Sequence, residues 1–396
     1  MYYGVIFSII AMFGLYTFHY PNTKYFQIMK SLAFLALLFT SGLRYETAVD
    51  FYSYRMKFEN IENIFNIFKN DISQFFFKYP SEPGYTLLNS IVRTFTDNVQ
   101  VLFFLISLFT TYLLFISLSK YCSKQLFFFS LLLYYVLIFF ILDMSGVRQC
   151  IALNIILYSL QYLIENHNKK FIINALFASM FHFSALIFLF APLFLKRKIS
   201  KKILIPILIL GLLVFLLRIR WLTSLIDTIA LSLPDNIIIT RIYSYTTKTA
   251  IYAQERPIFI MFFVNLFLYL FLLFAKDHYL KTDTKNTIFF NLFTLFTLAT
   301  MFLWEIADFG IRLGLYFSIG ILYCLPQLIS FFNQISKPII ITFVLFYSFV
   351  NARQFIMEDR SVIPYNPYQN YLIYELFDLK STGPDRLTIY LDELNQ

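Results

Sequence analysis

Ten long apolar runs account for most of this sequence, and they restrict what the chain can fold into. The runs cover residues 2–18, 27–43, 99–119, 126–142, 146–164, 203–221, 257–275, 286–304, 309–331 and 338–356. A helix needs about 20 mostly apolar residues to cross a bilayer. Only helices and closed barrels satisfy all their backbone hydrogen bonds inside lipid. The runs therefore predict an all-α fold, a polytopic integral membrane helix bundle.

The overall composition excludes an ordinary soluble domain. Charged residues make up 14% of the chain, whereas soluble domains contain about 25%. The 3 cysteines and 4 histidines are widely spaced, so we expect neither a disulfide framework nor a metal site. The positive charge is spread along the chain rather than gathered on one soluble face, which argues against nucleic acid as a partner. The sequence has no phosphate-binding loop, and we expect no cofactor.

Short basic loops predict the orientation of the helices, because such loops stay in the cytoplasm. Two of them, at residues 165–170 and 196–202, are separated by a single apolar run at residues 171–195. We predict that this run forms a tight helical hairpin with its apex near Phe181–Phe183. The hairpin raises the predicted count to about 11–12 transmembrane helices and places both termini on the outer side.

This orientation divides the chain into a membrane domain and a tail. Residues 1–356 form the predicted transmembrane domain, with inserts at about 44–98 and 222–256 on the outer side, and residues 357–396 form an acidic tail on the same side. Of 19 lysines, 14 fall on the predicted cytoplasmic side, whereas 12 of 13 arginines fall on the outer side. Because the guanidinium group binds phosphate or carboxylate through two parallel hydrogen bonds, this segregation predicts an outer face that handles an anion.

The stretch GLRYETAVDFYSY, residues 42–54, carries the densest set of chemically useful side chains. It directly follows an apolar run, so Arg44 lies where a membrane helix meets water. Glu46 and Asp50 are acids close enough in sequence to hold the guanidinium group or to exchange a proton, and Tyr54 ends the stretch. The alternative interpretation is an interfacial belt of aromatic residues with a solvated ion pair.

A second cluster is DMSGVRQ, residues 143–149. Arg148 and Gln149 open an apolar helix, where free backbone N–H groups and the helix dipole favour an anion. The alternative interpretation is a capped helix with an ion pair between Asp143 and Arg148.

Five more candidate residues lie on the predicted outer side. Arg312 falls inside an apolar run, where a charge is costly unless it has a partner, and Asp308 is an acid of the same stretch. His182 lies at the predicted apex of the hairpin, although a lone histidine on an apolar face is often a satisfied core residue. Arg241 belongs to a basic and aromatic part of the second insert, which is otherwise read as a solvated loop. Arg353 lies near the outer end of the final run.

Several of these stretches, in this order, resemble the EpsG family, the Wzy-type bacterial polysaccharide polymerases. GLRYETAVDFYSY is similar to the family stretch G-x-R-x-x-x-G-x-D-x-x-x-Y, except that Ala48 stands where the family usually has Gly and Phe51 where Tyr is common. The resemblance continues through EPGYTLLNSI (82–91), GVRQCIALNIIL (146–157), FHFSALIFL (181–189) and DFGIRLGLYFSIG (308–320).

The resemblance implies a membrane glycosyltransferase that polymerises oligosaccharide repeat units into O-antigen, capsule or exopolysaccharide. The growing chain would pass from its undecaprenyl pyrophosphate to a sugar hydroxyl on a new lipid-linked unit, at the outer face of the inner membrane. The expected partners are these lipid-linked glycans and membrane lipid, together with a flippase and a chain-length regulator. An O-antigen ligase-like transferase, or a flippase for the same lipid, is the alternative.

The implied chemistry assigns a role to each candidate residue. Arg44, Arg148 and Arg312 are expected to stabilise the pyrophosphate leaving group without a metal ion. Asp50 is the preferred base for the acceptor hydroxyl, ahead of His182, with Glu46 and Asp308 as further candidates. Contacts to the substrate are expected from Glu46, Tyr54, Gln149, Arg241, Asp308 and Arg353.

Overall fold

The fold is seen in a computed structural model, which describes residues 2–69, 78–79, 81–232, 255–279, 283–357 and 360–394. Most of these residues lie in helices, and an isolated bridge pairs Arg44 with Asn370. The described ranges contain no β-strand. The prediction of an all-α, polytopic helical membrane protein is confirmed. Arg241, one of the predicted binding residues, lies outside the described residues.

The chain forms two compact units, Met1–Leu189 with Leu325–Gln396, and Phe190–Cys324. The first unit begins with α1 (Tyr2–His19), α2 (Phe26–Gly42), α3 (Phe51–Asn60), α4 (Ile64–Lys69), α5 (Pro83–Phe95), α6 (Val99–Tyr121), α7 (Lys124–Tyr134), α8 (Val147–Ile164) and α9 (Asn168–Ser179). A π-helical turn, Tyr135–Phe139, continues α7, and a 3₁₀ helix, Phe183–Phe190, follows α9.

The second unit contains α10 (Ala191–Phe194), α11 (Lys201–Leu216), α12 (Trp221–Ser232), α13 (Ile260–Tyr279), α14 (Thr284–Phe302), α15 (Ala307–Phe317) and the beginning of α16 (Ile319–Phe331). The chain ends in the first unit with α17 (Lys337–Ile356), a 3₁₀ helix (Arg360–Tyr365), α18 (Tyr371–Leu376) and α19 (Gly383–Leu394).

Four of the described helices are long and apolar enough to cross a membrane: α1, α6, α8 and α17. Two bent pairs, α11 with α12 and α15 with α16, raise the number to as many as six within the described ranges. Shorter apolar helices, among them α2, α7 and α13, cover other predicted runs. The predicted total of about 11–12 spans depends on these shorter helices and stays a prediction.

The core of the first unit is formed by α6, α7 and α8. Over its apolar span α8 is 78% buried, whereas α1 and α17 are each 33% buried over theirs. A helix that is hydrophobic all round belongs inside a bundle, and every residue of α7 from Leu126 to Tyr134 is buried. Because α1 packs on α7, and α2 and α8 pack on α6, the more exposed helices surround this core.

Helices α2 and α6 run antiparallel, so their two ends can be compared. At one end the ammonium group of Lys30 lies 2.6 Å from the hydroxyl of Ser119. At the other end the side chain of Gln100 donates to the carbonyl of Gly42 at 2.6 Å. The 23 residues of α6 rise about 1.5 Å each and so separate the ends by roughly 35 Å. Arg44 lies at the end away from Lys30, and which end faces the cytoplasm stays a prediction.

Two runs that suggested straight spans are bent. The run 203–221 corresponds to α11, and α12 follows at 80° to it. The run 309–331 is divided at Ser318 into α15 and α16, which are bent by 48°. The hydroxyl of Ser318 donates to the carbonyl of Leu315 at 2.8 Å, a local hydrogen bond of the kind that bends helices. Hydropathy does not detect such bends, because the residues on both sides are apolar.

The predicted hairpin at 171–195 coincides with an interrupted helix. Helix α9 ends at Ser179, and the 3₁₀ helix begins at Phe183. The chain therefore leaves the α-helix where the apex was predicted, and α9 packs along α8. The sidedness of the hairpin stays a prediction.

In the second unit, α11, α13 and α15 all pack on α14. Asn291 of α14 donates to the carbonyls of Leu195 and Arg197, each at 2.8 Å. A Cβ atom added at Gly320 would lie 2.3 Å from the backbone nitrogen of Phe293. Helices α14 and α16 therefore meet backbone to backbone, at a position where only glycine fits.

Candidate active site around Arg44 and Arg148

The loop after α2 carries Arg44, and the segment before α18 holds it in place. The N–H of Tyr45 donates to the carbonyl of Gln369 at 2.9 Å, and the N–H of Tyr371 donates to the carbonyl of Leu43 at 2.8 Å. These two hydrogen bonds flank Arg44 on both sides. The backbone of Arg44 is therefore positioned by a part of the chain that is remote in sequence.

The same loop contains two residues in the left-handed region of backbone conformation. The φ angles are 43° at Glu46 and 79° at Ala48, and the N–H of Ala48 donates to the carbonyl of Pro364 at 2.8 Å. Residues with a Cβ atom are disfavoured there, whereas glycine is not. This conformation gives a physical reason for the glycine that the EpsG pattern has at position 48.

Arg44 is a buried cation with unused hydrogen-bond donors. Its side chain is 1% exposed, Nη1 donates to the carbonyl of Ser41, and the guanidinium carbon lies 4.3 Å from the ring centroid of Phe103. Nε and Nη2 have no hydrogen-bond partner among the described residues. Burial lowers the pKa of the guanidinium group to about 10, which still leaves it charged at neutral pH.

Arg148 is held by an acid and two aromatic rings. Its Nη1 donates to a carboxylate oxygen of Glu82, and its guanidinium carbon lies 5.8 Å and 6.0 Å from the ring centroids of Tyr54 and Tyr85. Nε is buried and has no partner within the described part of the chain. The carboxylate that pairs with Arg148 is thus Glu82, and the sequence alternative of a pair with Asp143 is wrong.

Tyr54 and Tyr85 connect the two arginines. Their rings meet edge to face, with centroids 5.6 Å apart. Burial raises the pKa of the Tyr85 hydroxyl, and the charges of both Arg148 and Arg44 oppose this rise. Because both charges act on the same buried phenol, we group Arg44 and Arg148 into one candidate site.

Three motifs that are distant in sequence meet in the first unit. The N–H of Gly84 donates to the carbonyl of Met180 at 2.8 Å, and a Cβ atom added at Gly84 would lie 2.9 Å from that oxygen. Helix α5 thus begins against the break that follows α9. Because Glu82 pairs with Arg148, and His182 is buried just beyond Met180, the three segments lie together.

Asp143 is a buried acid of the same unit. Its carboxylate accepts a hydrogen bond from the hydroxyl of Tyr134 at 2.8 Å, and Asn154 donates to that hydroxyl at 3.1 Å. Burial raises the pKa of Asp143 to about 6, while hydrogen bonds and the charge of Arg44 partly oppose the rise. Asp143 therefore supplies a negative charge that interacts with Arg44.

The two acids of the 42–54 stretch differ in their surroundings. Asp50 is half-buried at the start of α3. Burial raises the pKa of Tyr54 and Tyr365, and the carboxylate of Asp50 raises both further, so Asp50 lies among the tyrosines of the site. Glu46 forms an ion pair with Arg55 at 3.0 Å. Glu46 is thus engaged by Arg55, and the choice of Asp50 as the base stays a prediction.

Comparison with known proteins assigns this sequence to a family. The sequence matches the EpsG family over residues 27–370. The chain belongs to the EpsG family. This family contains Wzy-like polysaccharide polymerases, so the chain is a membrane protein of the polysaccharide polymerase type. No curated protein and no solved structure matches the chain.

The structure also shows the contacts or the exposure of four further residues that the sequence predicts to act: Arg312, Asp308, Arg353 and Gln149. Arg312 donates through Nε to Asp308 at 2.8 Å within the second unit, which provides the partner that a charge in an apolar run requires. Arg353 is exposed in the last turn of α17. Gln149 is buried beside Arg148.

Two residues of the site, Glu82 and Tyr85, were not predicted from the sequence, and Asp143 was named only as a possible partner of Arg148. Glu82 and Tyr85 belong to the EPGY motif, which entered the family resemblance without a chemical role. Asp143 ends an apolar run directly before a helix, and that position is itself a signal. Their partners depend on how the helices pack, and spacing along the chain does not indicate this.

Proposed function

We propose that this EpsG-family chain polymerises oligosaccharide repeat units carried on undecaprenyl pyrophosphate, at the outer face of the bacterial inner membrane. The growing glycan passes from its lipid pyrophosphate to a sugar hydroxyl on a second lipid-linked unit. The products are O-antigen, capsule or exopolysaccharide, and the proposed partners are a flippase that supplies the units and a regulator of chain length.

The proposal is carried by buried guanidinium nitrogens of Arg44 and Arg148 that donate to no described residue. Nε and Nη2 of Arg44 and Nε of Arg148 have no hydrogen-bond partner among the described residues. Leaving a buried donor unpaired costs about 1–3 kcal/mol, and more for a charged group. An anion with several oxygen atoms would satisfy these donors through charge-assisted hydrogen bonds, and a pyrophosphate group is such an anion.

The arginines would act mainly in the transition state. The bond between the anomeric carbon and the pyrophosphate oxygen breaks, and its electron pair goes to that oxygen. Arg44 and Arg148 stabilise the developing negative charge, without a metal ion, so we expect chelation by EDTA to leave the rate unchanged. The acceptor oxygen forms the new bond to the anomeric carbon, and its proton goes to Asp50 or His182.

A strain that lacks this chain tests the function. We expect single lipid-linked repeat units to accumulate on the outer side of the membrane, because they are delivered but not polymerised. Accumulation on the inner side would instead indicate a flippase. Full-length polymer that fails to reach the lipid A core would indicate a ligase.

Two substitutions assign the base. We expect Asp50→Asn to bind lipid-linked units while its turnover falls by about 10²–10⁴-fold, the usual loss for a general base. His182→Gln should lose less of its turnover than Asp50→Asn does. Turnover by the purified protein measures both, and an active Asp50→Asn beside an inactive His182→Gln would reverse the two roles.

A further inference from the structure

The acidic segment after residue 370 packs against the loop that carries Arg44. Helix α19 begins at Gly383, where an added Cβ atom would lie 2.5 Å from both the Cβ atom and the carbonyl oxygen of Glu46. The family match ends at residue 370, so this contact lies beyond the matched range. The C-terminal segment is therefore in direct contact with the candidate active-site loop.

Arg386, one turn into α19, makes the main polar contacts between the two segments. Its side chain is buried, with 6% exposed. Nη1 donates to the carbonyl of Pro367 at 2.8 Å and to that of Pro364 at 3.4 Å, and Nη2 donates to the carbonyl of Glu46 at 3.1 Å. The guanidinium group thus joins the loop to the turn at 364–367 through backbone atoms.

We propose that Arg386 is a positioning residue, which holds the 44–48 loop so that the free donors of Arg44 face the pyrophosphate. This inference rests on the proposed function. Pro364, which accepts from Arg386, also accepts from the N–H of Ala48 at 2.8 Å. Arg386 therefore holds the far end of the loop, while the bridge to Asn370 holds Arg44 itself.

The planar fork of arginine is needed for this contact. Glu46 and Pro367 are reached by different terminal nitrogens of one guanidinium group. Lysine keeps the charge but presents it as a compact point on a flexible stem, so it does not reproduce this fixed arrangement. Arg386→Lys should consequently leave the protein folded while the loop loses its defined position.

The affinity for inorganic pyrophosphate tests the proposal without the natural substrate. We expect Arg386→Lys to bind sodium pyrophosphate about 10-fold more weakly than the wild type, measured by calorimetry well below the unfolding temperature. Misplacing a catalytic group by about 1 Å can cost 10²-fold in rate, so turnover of lipid-linked units should fall by roughly 10–10²-fold. Lys380→Gln, an exposed change in the same segment, is the matched control and should alter neither value.

A double substitution separates positioning from general stability. If Arg386 acts through Arg44, adding Arg386→Lys to Arg44→Lys should lower pyrophosphate affinity and turnover by less than about two-fold beyond Arg44→Lys alone. Independent, multiplying losses would overturn the proposal. Gly383→Ala forces Glu46 to move and should reproduce the losses of Arg386→Lys.

The outcomes for the two proposals differ. A wild-type protein that does not turn over lipid-linked units would contradict the proposed function. Equal pyrophosphate affinity and equal turnover in the wild type and Arg386→Lys would contradict only the positioning role. An Arg386→Lys protein that does not fold would also contradict the positioning role, because Arg386 would then be required for folding.

Discussion

Glu82 and Arg148 form an ion pair across 66 positions of sequence, with their side chains 9% and 23% exposed. Glu82 lies directly before α5, and Arg148 lies in the first turn of α8. The carboxylate accepts from Nη1, while Nε has no partner among the described residues. The acid therefore orients the guanidinium group and still leaves a donor for an anion.

The first prediction concerns this pair. Replacing Glu82 with Gln should lower the free energy of unfolding by about 1.5–3 kcal/mol, because the part-buried Arg148 then loses a hydrogen bond to a charged partner. Thermal unfolding of the purified protein measures the loss. Glu59→Gln is the control, since the exposed pair of Glu59 with Arg55 should contribute about 0.3–0.5 kcal/mol. Similar losses in the two variants would contradict the structural role of Glu82.

The second prediction concerns the two arginines of the site. Arg44→Lys and Arg148→Lys keep the charge but lose the planar fork, so each should leave folded protein in the membrane and shorten or abolish the polymer. Losing one preorganised donor costs about 10²–10³-fold in rate. The length distribution of the glycan and the initial rate measure the effect. Arg93→Lys, at a pair with Asp97, is the control, and wild-type polymer in both site variants would make the arginines structural.

The third prediction concerns the strained loop. Ala48→Gly should leave the free energy of unfolding within about 1 kcal/mol of the wild type, because relief of the left-handed strain offsets the greater freedom of the unfolded chain. Ala48→Val should cost more than about 2 kcal/mol, since a β-branched residue is a poor fit to a φ of 79° at a buried position. Thermal unfolding compares the two, and equal losses would show that strain at residue 48 is unimportant.

The fourth prediction concerns pH and Asp143. Its pKa is raised from 3.8 to about 6 in the folded protein, so folding favours the protonated acid. Its contribution to stability is fully present below pH 3.8 and is lost as pH rises through 6. The loss amounts to about 3 kcal/mol at most.

Asp143→Asn should remove this dependence. The difference in unfolding free energy between wild type and Asp143→Asn should change between pH 4 and pH 7 in favour of the variant, apart from a constant offset for the lost charge near Arg44. Denaturant unfolding at several pH values measures it. Asp97→Asn, at a carboxylate 88% exposed, serves as the comparison. A difference that does not vary with pH would contradict the raised pKa of Asp143.

The sequence by itself determined the helical class, the family and the position of Arg44 at the end of an apolar helix. Each of these follows from local patterns: apolar runs of spanning length, motif order, and a charge directly after an apolar run. The break before Phe183 was also predicted, because two basic loops flanked one short run. Bends such as the one at Ser318 were not, since the residues on both sides are equally apolar.

Only the tertiary structure decided which acid pairs with Arg148. The stretch DMSGVRQ left open an ion pair between Asp143 and Arg148, yet the carboxylate that pairs with Arg148 is that of Glu82. The contact of Arg386 with the 44–48 loop was equally hidden in the sequence. Partners of this kind are set by the packing of helices, which brings together residues that are far apart in the sequence. Spacing along the chain therefore does not indicate which residues become neighbours.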